Sequence, residues 1–119
     1  MAAPNILNLS SLYGKTAVAN VLATATTVLT NSAASNKVYK VNSLTIANID
    51  GTNDATIDVD LYRSSVAYHI ASDVVVAAGS TLVVTSKENG FYMEEGDSVR
   101  ATANTAGDLQ AVLSYEELS

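Results

Sequence analysis

Ile57, Val59 and Leu61 alternate with Thr56, Asp58, Asp60 and Tyr62 across Asp54 to Arg63. A period of two turns every second side chain to the same face, so this stretch predicts a half-buried β-strand. The preceding stretch, Lys37 to Ile49, is apolar at odd positions through Tyr39 and Val41 and at even positions from Leu44 and Ile46. That slip of phase near Asn42 and Ser43 predicts a β-bulge or two short strands. Asp50-Gly51-Thr52-Asn53 between the two stretches tolerates positive φ and predicts a hairpin.

The same rhythm continues to the end of the chain. Val66, Tyr68 and Ile70 share one face of a further strand, and Ala77 to Ser80 turns into Thr81 to Ser86. Lys87 to Gly90 interrupts the pattern, Phe91 to Met93 resumes it, and Glu94-Glu95-Gly96-Asp97 forms a polar hairpin tip. Val99, Ala101 and Ala103 then alternate with Arg100 and Thr102. After the Asn104 to Asp108 loop, Leu109, Ala111, Leu113 and Tyr115 line one face of a closing strand. Turns every 8 to 12 residues or so are the spacing of an all-β sandwich or barrel.

Lys15 to Leu29 admits a helical stripe through Val18, Val21, Leu22, Ala25 and Leu29. Its Thr24, Thr26, Thr27, Val28 and Thr30 are β-branched, and no charge lies between Lys15 and Lys37 to solvate an outer helical face. Two strands are the expectation. The fold class is therefore all-β: a single-domain antiparallel β-sandwich over 14–119, jelly-roll or immunoglobulin-like, preceded by an extended N-terminal arm over 1–13. The arm holds the only proline, Pro4, and scattered apolar residues. Ile6, Leu7, Leu9, Leu12 and Tyr13 are the candidate intersubunit contacts.

Composition narrows the function. The 119 residues carry 12 acidic and 6 basic side chains, a net charge of −6, which repels nucleic-acid phosphates and anionic lipid. Neither nucleic acid nor membrane is expected as a partner. The apolar set is mostly Ala and Val, so the core is expected to be thin and built of small side chains. With no cysteine, stability must come from packing or assembly, and Met1 to Leu12 lacks the charged and apolar regions of a secretory signal. A soluble protein outside the general export route is expected.

Chemistry is scarce. His69, the one histidine, has no acid nearer in sequence than Asp73, and Ser64 and Ser65 lack a glycine elbow, so no catalytic residue is assigned. Asp58 and Asp60 project from one strand face about 7 Å apart, a spacing that could hold a cation, but a solvated outer face that prevents edge association is the expectation. Asp50 to Asp54 superficially looks like a calcium loop but has Leu61 where an acidic twelfth residue is required. No cofactor and no metal are assigned. Tyr62 and Tyr92 are the aromatic platforms available to a glycan.

Several segments resemble a known group of proteins. Met1-Ala2-Ala3-Pro4-Asn5, Gly14-Lys15-Thr16-Ala17, Lys37 to Leu44 running into Asn48 to Asn53, Ala78 to Leu82, Met93 to Arg100 and Ser114 to Glu117 resemble small β-sandwich virion proteins of tailed bacteriophages, particularly cyanophages. The resemblance implies a structural, non-enzymatic component. The expected role is a capsid decoration or cement protein on the outer surface of the virion, binding the major capsid protein as a homo-oligomer, with a trimer favoured. The alternative is a tail, neck or fibre component that binds a host surface or carbohydrate.

Overall fold

The computed structural model describes residues 7–119. Among them nine strands form: β1 (Leu12–Val21), β2 (Thr26–Thr30), β3 (Val38–Asn48), β4 (Ala55–Arg63), β5 (Val66–Val76), β6 (Thr81–Thr85), β7 (Phe91–Met93), β8 (Ser98–Ala103) and β9 (Leu109–Leu118). One antiparallel sheet, A, has the order β1-β9-β3-β6, with β7 also on β3; the other, B, has the order β2-β8-β4-β5. The contested Lys15 to Leu29 stretch is strand, as expected, with a turn held by the Thr26 hydroxyl. That hydroxyl accepts from the Leu22 amide at 3.0 Å and donates to the Thr24 carbonyl at 3.0 Å.

β6 and β7 lie end to end along β3, against Leu44–Ala47 and Tyr39–Val41, and are one edge strand broken by a 3-10 turn at Lys87–Asn89. Gly90 ends that turn where a Cβ would run into the Val41 carbonyl oxygen. With β6 and β7 counted together the nine strands become eight, and they pair first with last, second with seventh, third with sixth and fourth with fifth. This is a long hairpin rolled into two sheets, the jelly-roll arrangement, not the immunoglobulin one. Its apex is the β4–β5 turn, where Ser64 (φ 52°) and Ser65 (φ 62°) both take the left-handed conformation of a type I′ turn.

The slip of phase in β3 is a bulge, for its pairing with β9 shifts register between Val41 and Ser43. Two expected hairpins are corrected. Asp50–Asn53 joins β3 in sheet A to β4 in sheet B, and Glu94–Asp97 likewise carries the chain from β7 to β8. Turn residues set the bend but not the destination. The crossings are fastened by buried asparagines. Asn48 donates to the Asn53 and Val76 carbonyls, both at 3.0 Å, and Asn31 to the Lys37 and Met93 carbonyls at 2.9 and 3.1 Å.

Between the sheets lies a core of Val, Ala, Leu, Ile and Met, including Leu44, Ile46, Ile57, Met93 and Leu113, with Tyr39, Phe91 and Tyr115 packed at its margin. Each fully buried Val, Leu, Ile or Met side chain contributes about 1.5–3 kcal/mol. Small side chains do dominate, as the composition predicts. Val66, Tyr68 and Ile70, which share a face of β5, stay exposed beyond that core.

Candidate functional site

The residues with chemistry lie mostly outside the core, and tertiary pairing gives most of the acidic ones a partner. On the outer face of sheet B, Asp60 of β4 stands opposite Arg100 of β8 in register. Arg100 Nε donates to Asp60 Oδ1 at 2.9 Å and Nη2 to Oδ2 at 3.3 Å, while the guanidinium carbon lies 3.8 Å from the Tyr62 ring centroid. Asp60 is buried beneath this stack. Asp58, which shares its face, accepts from the Asp73 amide at 2.6 Å. The two carboxylates are thus engaged separately, and the Tyr62 platform is occupied by Arg100.

His69 is exposed on β5 and lies opposite Asp60 in the β4–β5 register, a neighbour that sequence distance did not indicate. Both Asp60 oxygens are already turned to Arg100. Ser64 and Ser65 are the turn residues of the hairpin apex. In the Asp50 loop, Oδ1 accepts from the Thr52 amide at 2.8 Å and the Asn53 amide at 3.3 Å, and Oδ2 from Asn53 Nδ2 at 3.2 Å. These bonds lower the Asp50 pKa and hold the loop closed on itself. Among the described residues no three His, Cys, Asp or Glu side chains gather as a metal-binding group.

Two further charge clusters were not legible, because their members lie far apart in sequence. Arg63 bridges Asp97 and Glu94, with Nη2 2.8 Å from Glu94 Oε2, and its pKa is raised chiefly by the hydrogen bonds to Asp97. Glu117, near the end of β9, is flanked by two lysines, Lys37 Nζ at 2.9 Å from Oε1 and Lys15 Nζ at 3.0 Å from Oε2. Their hydrogen bonds hold the Glu117 carboxyl below the ordinary glutamate range.

The outer face of sheet A is different. Val18, Val112, Thr45 and Val83 form a row of cross-strand neighbours through β1, β9, β3 and β6. Asn20, Gln110, Ala47 and Thr81 make the row on one side, and Thr16, Ser114 and Ser43 the row on the other. None of these residues is charged. Val18 is 71% exposed and Val83 59%. An open depression of about 420 Å³ lies between β1 and β9, lined by Val18, Ala19, Asn20, Gln110, Ala111 and Val112. Sequence alternation places each residue on an outer face, but only the register aligns them as a field.

The N-terminal candidates are separated by the fold. Ile6 lies outside the described residues. Leu7 is exposed and Leu9 half-buried. Leu12 and Tyr13 belong to β1, paired with Leu118 and Glu117 and pointing to opposite faces of sheet A. Ser10 and Ser11 donate their amides to the Ser119 carbonyl, at 2.6 and 2.8 Å, so the bonding continues past Leu12 and past the end of β9.

No family model matches the chain, and no curated protein does. Among solved structures, a protein of Bacillus endospore appendages, which form disulfide-linked pili, is similar with a TM-score of 0.55 at 17% identity, over 92% of this chain and 87% of that one. A pentameric capsid protein from metagenomic phage sequences gives a TM-score of 0.41 at 18% identity, over 87% of this chain and 60% of that one. At this identity the first likeness concerns the fold alone.

Proposed function

We propose that this protein is a non-enzymatic structural component of a phage particle: a decoration or cement protein on the outer surface of the capsid that binds the major capsid protein and stabilises the head. The observation that carries this reading is the inequality of the two sheet faces. The outer face of sheet A presents an uncharged field around Val18, Val112 and Val83, whereas the outer face of sheet B carries Asp58 and the Asp60–Arg100 ion pair. Interface centres are depleted in charge, and acidic surface keeps a particle soluble. Sheet A is the side that packs, and sheet B the side that faces solvent.

The N-terminal segment, with Ile6, Leu7, Leu9, Leu12 and Tyr13, extends this contact onto neighbouring subunits. The chain has no cysteine, so its contacts include no disulfides, unlike those of the disulfide-linked pili whose fold it shares. The alternative, a fibre or tail module that binds glycans, is weakened by the Arg100 stack over Tyr62.

The test is quantitative mass spectrometry of purified particles, combined with re-addition of the protein to stripped heads. A copy number matching the capsid lattice, with binding weakened at least tenfold by Val18→Asp/Val112→Asp or by removal of residues 1–9, is expected. Absence from the particle, a copy number matching one ring at the neck or tail, or indifference to both changes overturns the reading.

A further inference from the structure

The sandwich has four edges: β1 and β6–β7 in sheet A, β2 and β5 in sheet B. Unpaired backbone groups along an edge are a template for another chain, and proteins blunt them by shortening, bulging, interrupting or charging the strand. β2 is five residues long and shifts register against β8 between Thr27 and Leu29. β5 shifts twice against β4, between Ile57 and Val59 and between Val59 and Asp60, and carries Asp73 at φ 51°. The β6–β7 edge is broken by the turn at Lys87–Asn89. β1 has none of the first three devices, and its one charge, Lys15, is paired with Glu117. Its ten residues keep unbroken register with β9 and contain no proline.

The bonding pattern of β1 follows from the pair just before its first residue. Ser11 and Ser119 exchange both backbone hydrogen bonds, Ser11 N to Ser119 O at 2.8 Å and Ser119 N to Ser11 O at 3.0 Å. Bonded and non-bonded pairs alternate in an antiparallel ladder, so the odd-numbered residues of β1 bond to β9. The even-numbered ones, Leu12, Gly14, Thr16, Val18 and Asn20, turn their amides and carbonyls to the outer edge. Among the described residues no strand pairs with that edge.

Charge favours a second copy there. The chain carries −6, yet no Asp or Glu precedes Asp50, and the only charge on β1, Lys15, is paired with Glu117. Two copies can therefore meet along β1 without bringing acidic residues of that strand together.

We propose that β1 pairs antiparallel with β1 of a second copy about a two-fold axis at Ala17, fusing the two A sheets; this rests on reading the protein as part of an assembly. The axis sets Thr16 opposite Val18 of the partner subunit, and Gly14 opposite Asn20 of the partner subunit. Both are pairs of outward-bonding residues, and the sheet faces match. Lys15 falls opposite Ala19 of the partner subunit, whereas an axis at Lys15 would set lysine against lysine, a destabilising pair. The uncharged field of sheet A continues across the axis into the same field of the partner. The result is a dimer rather than the trimer expected for a decoration protein.

The chain itself supplies a reporter. On the axis, Ala17 faces its own copy as a non-bonded pair with Cα atoms about 4.5 Å apart, within reach of a disulfide, and the chain contains no cysteine to compete. Mild oxidation of Ala17→Cys is expected to yield a covalent dimer, and Val112→Cys, one strand further in, is expected to remain largely monomeric on a non-reducing gel. Sedimentation of the unmodified chain is expected to show a concentration-dependent dimer. Thr16→Pro removes an outward amide while leaving the β9 bonds intact, and is expected to give a monomer with unchanged circular dichroism and a melting temperature that no longer depends on protein concentration. A monomeric or trimeric wild type, a dimeric Thr16→Pro, or equal cross-linking of the two cysteine variants overturns the inference. Dimerisation without head binding would sink the capsid reading alone, and head binding by a wild-type monomer would sink the pairing alone.

Discussion

Arg63 and Asp97 meet through two parallel hydrogen bonds, Nε to Oδ1 at 2.8 Å and Nη2 to Oδ2 at 2.5 Å. Arg63 ends β4, next to the hairpin apex, and Asp97 lies in the crossing from β7 to β8. The pair therefore ties the rolled tip of the fold to one of its sheet-to-sheet connections. Asp97 also accepts from the Glu94 amide at 2.8 Å and is itself buried.

Replacing Asp97 with Asn keeps the shape but removes the charge opposite Arg63. The cost should be about 2–3 kcal/mol, less than that of breaking a fully buried pair because the guanidinium is partly in water. Urea denaturation measures it. A change within a few tenths of a kcal/mol would show that the pair contributes no more than a surface bridge.

Glu117 makes stability depend on acid. Its two lysine partners depress its pKa in the folded state, and the turn amides do the same for Asp50. As pH falls, the unfolded chain takes up these protons first, so the stabilisation is full above the ordinary carboxylate values, about 3.9–4.3, and is lost as pH falls through the folded ones. The urea midpoint should be flat from neutral pH to about 5 and decline below it. Glu117→Gln should lower the neutral plateau by about 1–2 kcal/mol and flatten the acid decline, since one titrating carboxylate is gone. An acid limb as steep as that of the wild type would assign the loss to other carboxylates.

The hairpin apex holds two serines where both residues have positive φ. Asparagine followed by glycine suits a type I′ turn with less strain. The double change Ser64→Asn/Ser65→Gly should therefore stabilise the fold by about 1 kcal/mol, read as a higher melting temperature. A lower melting temperature would indicate that the serine hydroxyls stabilise the turn in a way that offsets their backbone strain.

Much of the fold was legible from local pattern. Ile57, Val59 and Leu61 face the interior as their alternation predicts, with Ile57 and Val59 fully buried, and the slip at Asn42 is a true bulge. The Asp50 and Glu94 turns were legible as bends but not as crossings, because the same turn residues serve a hairpin or a change of sheet. Arg100 gave no sign of its partner. Asp60 lies 40 residues away, and the pair exists only because β4 and β8 are neighbours in register.

What the sequence by itself determined is which residues can be strand and which side of each strand is apolar, since backbone sterics and alternation act over a few residues. It also determined that thiol chemistry is absent and that the N-terminal 49 residues hold no acidic group. Only the tertiary structure decided that the sandwich is a jelly roll, that each acidic cluster closes on an arginine, a lysine or its own backbone, and that β1 is the long edge without a bulge. The reason is physical. Pairing and register join residues distant along the chain, and the entropy of closing those loops is offset only when the two sheets pack together over one shared core.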